Sequence, residues 1–436
     1  MHDTPEIHKF GGSCLRDASD IKRIAEVVLQ AEQPIIIVVS ALWGTTDRLI
    51  RAAQEPRYAG RLVNDLSSQH LRFSPTIVNS KHYQVFQLVL EGMEKSLVEL
   101  DTNRDDIIAY NRLLAAGERL SALVIAHELT LYGIEAHPIG AEDIGLCLNG
   151  TGKARAVDME RSLKKLNKNA FHGVAVVTGW FGEGLDGNIA LLGRGGSDHT
   201  ATALAALLNA RKVVLWKDVP GFFPLNPRWG VVSAPIPYLG YGEAMAFAQA
   251  DATILHPATV EPVYNLGIPI EIRHLAEYQE GGFRTIIGPD IEQPSFIKGI
   301  SCIPRVTCVT IDIKYHPDSG QELSQLFFET NNEDIRICSY ETTNSNWRFV
   351  IPQHEYNRFL PLISSRANQI HVDHYAALIS FIGCRDVRQL DGILQDLQEA
   401  HFVPYSTSPA IQVLTQREDF ALLLEQMMNH LVKQRN

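Results

Sequence analysis

The residues best placed to do chemistry sit where apolar runs give way to glycine. In KFGG, Lys9 closes a short apolar run and Gly11 and Gly12 follow at once. Glycine lets backbone N–H groups close on an anion, and a helix starting there adds partial positive charge. A lysine at the same point neutralises phosphate oxygens during transfer. Taken alone, the hexamer KFGGSC is better explained by a tight turn with a solvated lysine, and the GxxxxGK[ST] spacing of a Walker A loop is absent.

A second cluster, GRGGSDHTA (Gly193–Ala201), opens an Ala- and Leu-rich helical stretch. Ser197 or Asp198 is expected to cap that helix. Capping leaves Arg194 unexplained, whereas an arginine there suits a bidentate grip on a carboxylate. Asp198 would then organise the lysine and the phosphate end, and Ser197 would add a hydrogen bond. A third exit, VVSALWGTTDRL, carries Ser40, Thr45, Thr46 and Asp47, suited either to capping a helix or to holding a polar substrate. In AAGERLSALVIAHEL, Glu118 lies among small and apolar residues. It either faces solvent, as a lone glutamate ordinarily does, or receives a substrate ammonium.

These exits need a scaffold of strands. The run IIIVV is β-branched throughout, as in a buried parallel strand. Together with IHKF and the helical periodicity of residues 20–30 it makes a βαβ unit. Helical stretches follow over about Lys81–Leu100 and Asp106–Tyr132, then the strands GVAVVTG, GNIALLG and KVVLWK, and IPIEIR closes the alternating region near Arg273. This pattern predicts an α/β domain with a mostly parallel sheet over residues 1–290. From Lys298 two short β-α-β patterns recur, each roughly 60–70 residues long. They predict two small α+β modules, over 298–365 and 366–436, with interleaving of the two left open. A helix is expected over 387–400 and another to about Val432.

The 436 residues carry 39 basic and 50 acidic side chains, a net charge of −11. With no Lys/Arg-rich block, general binding to nucleic acid or an anionic membrane is not expected. No apolar stretch reaches the ~18 residues of a membrane span, and the start lacks a basic-then-apolar secretory pattern. The six cysteines are scattered without a CxxC pair, so reduced thiols and a cytoplasmic setting are expected.

Seven segments, in order, resemble the aspartate kinases of the amino acid kinase family: KFGG, VVSAxxGxTDxL, GERLS, VVTGWFG, LGRGGSDHTA, WKDVPG and ILHPAT. The tail modules resemble that family's paired ACT domains. The resemblance implies a three-layer α/β sandwich followed by ferredoxin-like ACT modules. It also implies ATP-dependent phosphorylation of the β-carboxylate of L-aspartate to 4-phospho-L-aspartate. Lys9 would neutralise the transferring phosphoryl group and Asp198 would order the charges around it. Gly11, Gly12 and Ser13 would cradle phosphate with their backbone. Ser40, Thr46, Glu118, Arg194 and Ser197 would hold aspartate, with Arg194 on a carboxylate and Glu118 towards the amino group. Lys217, Asp218, Phe223, Arg228 and position 253 would line the nucleotide site. Mg²⁺ would be held mainly by the nucleotide phosphates, with no protein metal site. The resemblance further implies association through the ACT modules, as a homodimer or larger, and an amino-acid effector such as lysine or threonine.

The nucleotide turn departs from the family's TDVxGVYTADPR. It reads KDVPGFFPLNPR, with Phe223 for a tyrosine, Asn226 for an acid and Pro224 stiffening the turn. Thr253 stands where many members have lysine, and Lys217 where many have threonine. Either Lys217 supplies the displaced cation or the nucleotide site is weakened. Leu148-Asn149 replaces a Thr-Asp, and His256 and Pro257 are expected to shape a turn. In the tail, HPDSGQELSQLFF, Cys338 and Thr343-Asn344 depart from the effector pattern, which leaves the effector open. The alternatives are a kinase for another small amino or hydroxy acid and a non-catalytic amino-acid sensor.

Overall fold

The computed structural model describes residues 4–230, 233–250, 254–278, 282–291, 297–313, 319–333, 335–343, 345–384, 386–390, 393, 401–403 and 409–435. The chain divides into two compact units. The first comprises 1–222, 237–241 and 255–289, and the second 223–236, 242–254 and 290–436.

Elements up to residue 289 mix strands with helices, including a run of four helices between Thr45 and Leu131. The strands are β1 (Glu6–Phe10), β2 (Ile35–Val39), β3 (Ala136–Ile139), β4 (Lys153–Ala154), β5 (Val174–Thr178), β6 (Phe181–Glu183), β7 (Ile189–Leu192), β8 (Lys212–Lys217), β9 (Tyr238–Gly240), β10 (Ile270–His274) and β11 (Arg284–Gly288). The helices are α1 (Ala18–Leu29), α2 (Thr45–Gln54), α3 (Ala59–Phe73), α4 (Tyr83–Thr102), α5 (Ile107–Leu131), α6 (Met159–Lys165), α7 (Gly196–Leu208), α8 (Tyr241–Gln249) and α9 (Glu261–Tyr264).

Eight strands form one sheet in the order β3-β5-β2-β1-β8-β10-β11-β9. All neighbours are parallel except β10 and β11. The sheet therefore runs past Arg273, where the alternating sequence pattern stops. The strands β4, β7 and β6 make a separate small sheet, with β6 and β7 antiparallel.

Every residue of β2 is buried, as a β-branched strand covered on both faces must be. Helix α5 is apolar nearly all round and buried along most of its length, which fits a core rather than a surface helix. Its Leu113, Leu120, Val124 and Ile125 pack with Phe10, Ile37 and Val39 in one core. The helices α2 and α3 are amphipathic: Leu49 and Ala52 of α2 and Leu62, Val63 and Leu66 of α3 are buried, while Arg51, Gln54, Arg61 and Arg72 are exposed.

The second unit holds a six-stranded antiparallel sheet in the order β13-β14-β12-β15-β17-β16. Its strands are β12 (Gly299–Ile313), β13 (Ser339–Thr342), β14 (Asn346–Pro352), β15 (Ala367–Ile382), β16 (His401–Val403) and β17 (Ala410–Thr415), with helices α10 (Ser319–Asn332), α11 (Tyr356–Ser364) and α12 (Phe420–Arg435). The strand order repeats on either side of the long β12·β15 ladder, which joins the two halves. Arg366 grips Glu329 with both guanidinium nitrogens at 2.9 Å. The helix expected over 387–400 falls largely outside the described residues; 387–390 form a short 3₁₀ turn. Asn344 also lies outside them.

Candidate active site

The sheet order puts three strand exits side by side. Because β2, β1 and β8 are parallel neighbours, their C-terminal ends open on the same edge, where open α/β sheets bind ligands. Lys9 is the penultimate residue of β1, Lys217 the last of β8, and Asp198 lies in the first turn of α7.

Asp198 joins the two lysines. Its Oδ1 is 2.7 Å from Lys9 Nζ and its Oδ2 is 2.6 Å from Lys217 Nζ. Burial by itself would raise the Asp198 pKa, but Lys217 and Lys9 outweigh it and hold the carboxyl at about 2. Lys9 is itself buried, which pulls its ammonium below the ordinary value against the attraction of Asp198. Two cations thus stand ready with one carboxylate between them.

Glu118 is sealed inside α5, with 2% of its surface exposed, so of the two sequence alternatives the solvent-facing one is overturned. Small neighbours allow this: a Cβ on Gly117 would come within 3.0 Å of Ala41 Cβ. Glu118 Oε1 accepts a hydrogen bond from Ala41 N at 3.2 Å, while Oε2 has no protein partner. Burial raises its pKa to about 8, against that bond and the positive charge of Lys9. A buried carboxylate with a vacant oxygen suits an incoming ammonium.

The capping expectations need correction. Gly195 at φ 73° is the N-cap of α7 and Gly44 at φ 73° is that of α2, each without a side-chain cap. Only glycine adopts this left-handed conformation cheaply. Ser197 and Asp198 are thereby freed for other work. Ser197 Oγ meets Ser40 Oγ at 3.1 Å, tying the β2 exit to α7. A Cβ on Gly179 would lie 2.6 Å from Ser197 Cβ, so that glycine sets the approach. Thr46 sits half-buried in the first turn of α2, next to the fully buried Thr45.

Arg194 is exposed just before α7 and makes no hydrogen bond or ion pair among the described residues. Gly11, Gly12 and Ser13 form the turn after β1, where a Cβ on Gly12 would lie 3.1 Å from Ala41 O. Cys14, next in the turn, is buried and its thiol is pushed up to about 11, so it carries no thiolate at neutral pH. Asp218 pairs with Arg16 at 3.2 Å. Phe223 and Arg228 belong to the second unit. Phe223 is half-buried there, and the exposed Arg228 lies over the Trp229 ring at 5.3 Å, its N–H donating to Asn226 Oδ1. Thr253 lies outside the described residues.

Trp180 and His199 lie in quoted segments, but sequence reasoning gave them no role. Arg16 carried no motif signal. Trp180 takes φ 72° in the turn before β6, a conformation costly for a bulky residue. His199 accepts from Val157 N at 3.0 Å through Nε2 and so donates from Nδ1 to Ala258 O at 2.6 Å. It is a buried brace for α7, with its pKa lowered by burial. His256 caps the turn at Pro257–Thr259, accepting from Ala258 N, which is the turn-shaping role expected of it.

The described residues gather no group of three His, Cys, Asp or Glu side chains able to hold a metal ion. Both Asp198 oxygens face lysines.

The sequence model of the amino acid kinase family matches residues 6–274, and the chain belongs to that family. The aspartokinase of Geobacillus stearothermophilus is 28% identical over 313 residues, 70% of this chain and 64% of the relative. That of Bacillus sp. (strain MGA3) is 28% identical over 380 residues, 84% of this chain and 79% of the relative. The chain thus spans less than two thirds of the first of these relatives. Among solved structures, Escherichia coli aspartokinase III in complex with aspartate and ADP is similar, with a TM-score of 0.79 at 22% identity, over 96% of this chain and 98% of that one.

Proposed function

We propose that this chain is an aspartate kinase, transferring the γ-phosphoryl of ATP to the β-carboxylate of L-aspartate to give 4-phospho-L-aspartate. The observation that carries the reading is the Lys9–Asp198–Lys217 arrangement with the vacant Glu118 oxygen close enough to feel the charge of Lys9. The names of the relatives, aspartokinases all, point the same way.

Glu118 takes the substrate ammonium and the exposed Arg194 takes a carboxylate. Ser40, Thr46 and Ser197 supply hydroxyls around the rest. The acceptor is already ionised, so no general base is required. Catalysis is positioning plus neutralisation of charge on the phosphoryl oxygens by Lys9 and Lys217. Asp198 keeps both ammoniums in place, and the N–H groups of Gly11, Gly12 and Ser13 cradle phosphate. Lys217 and Asp218 line the nucleotide. Mg²⁺ arrives with ATP and is held mainly by its phosphates.

We read residues 1–290 as the catalytic domain, and 298–365 and 366–436 as amino-acid-sensing ACT modules that associate with those of another copy. Lysine or threonine is the effector class to try first; one relative is named a lysine-sensitive aspartokinase. No described helix is long and apolar enough to cross a membrane, and the six cysteines are free, which suits a reducing cytoplasm.

The test is ADP release with L-aspartate. Lys9→Ala should lower turnover by about 100- to 1000-fold. Lys217→Thr should raise the KM for ATP. Normal kinetics in both variants would remove these roles.

A further inference from the structure

Arg16 belongs to no motif, yet it touches all three adjacent strand exits. It is carried by the turn after β1. Its Nη2 lies 3.2 Å from Asp218 Oδ2, at the β8 exit. Its guanidinium carbon lies 4.6 Å from the ring centroid of Trp43, at the β2 exit. Asp218 directly follows Lys217, and Trp43 falls between Ser40 and Thr46.

The backbone of Arg16 is fixed while its side chain is not. Its N–H donates to Asp20 Oδ2 at 2.9 Å, and Asp17 and Asp20 form a capping box at the start of α1. The guanidinium is half-exposed, as is its Asp218 partner. An ion pair this open to water is weak and readily exchanged for a more highly charged partner. Trp43 is 56% exposed and offers its face as a rest for the cation.

We propose that Arg16 is a ligand for the nucleotide polyphosphate, held ready at the mouth of the site by Asp218 and Trp43. The chemistry fits: a planar guanidinium binds phosphate oxygens through two parallel N–H groups. The two lysines deeper in the site share one counter-charge, Asp198, and a polyphosphate carries more charge than they offset. Arg16 would also offset Asp218, whose bare carboxylate would otherwise face an anionic ligand. This inference rests on the ATP-binding part of the function proposed above.

The test is calorimetric binding of Mg·ATP and, separately, of L-aspartate to the full chain and its Arg16→Met, Arg16→Lys and Arg16→Met/Asp218→Asn variants. Arg16→Met should weaken ATP about tenfold and leave aspartate within about twofold, with Arg16→Lys in between. The double variant should stay weak for ATP. Unchanged ATP affinity in Arg16→Met overturns the proposal. So does an equal loss for both ligands with a lower melting temperature, which would make Arg16 a structural brace. Full rescue by Asp218→Asn also overturns it, because Arg16 would then only mask Asp218. A wild type that binds ATP but phosphorylates nothing would refute the kinase reading and leave Arg16 standing.

Discussion

Glu118 should reveal itself through pH before any substrate is added. Its folded-state pKa of about 8, against an ordinary 4.5, means that the folded protein keeps a proton the unfolded chain gives up. Between those values the native state binds more protons than the unfolded one, so stability falls as pH rises. The cost is absent below pH 4.5 and complete above about 8. A gap of this size corresponds to about 5 kcal/mol as an upper bound. Glu118→Gln removes the ionisation and keeps the shape. Its melting temperature relative to wild type should therefore rise between pH 5 and pH 9, by at most about 10 °C at roughly 2 °C per kcal/mol. Aspartate supplies the converse experiment. An ammonium beside Oε2 favours the ionised form, so binding at pH 7 should release about 0.9 proton in wild type. Glu118→Gln should release none. Calorimetry in buffers of different ionisation enthalpy reads the number directly. A melting difference independent of pH, or binding without proton release, would refute the buried, proton-holding Glu118.

Other variants test other parts of the site. Asp198→Ala leaves Lys9 and Lys217 facing each other without their shared counter-charge; it should cost about 3–5 kcal/mol in urea unfolding of the wild type against the variant and abolish turnover. Gly179→Ala drives a methyl into Ser197, 2.6 Å away; a stability loss of about 1–3 kcal/mol and lower kcat are expected, and normal kcat would show that α7 can shift freely. Arg194→Ala removes an exposed side chain with no protein partner among the described residues, so melting should not change while the KM for aspartate rises steeply. A change confined to ATP would move Arg194 to the nucleotide side.

Much of the site was legible because its residues interrupt apolar patterns. Lys9 lies one residue from the end of a strand, Glu118 breaks a run of small residues, and Asp198 follows glycines. Their convergence was not readable from spacing: Lys9 and Asp198 meet only because β1 sits beside β8 and α7 packs above them. Burial of Glu118 depended on Gly117 and Ala41 approaching closely, a contact between distant segments. The capping expectation failed at α7 and α2 because a left-handed glycine satisfies the helix start, which composition does not distinguish from a serine cap. Arg16 was invisible because its partners, Trp43 and Asp218, lie on two other loops. The mostly parallel sheet followed from β-branched runs, but β9 gave no strand signal within that region and β11 lies beyond it. In the tail the repeat of two small modules was visible, whereas their fusion through β12 and β15 is set by long-range register.

The most direct test is ATP- and Mg²⁺-dependent acyl-phosphate formation trapped with hydroxylamine, run with L-aspartate against a panel of small amino and hydroxy acids, with and without lysine and threonine. The account predicts hydroxamate with L-aspartate and none with the rest of the panel. Product from another acid and not from aspartate would contradict it, as would no product at all from a folded protein that binds aspartate.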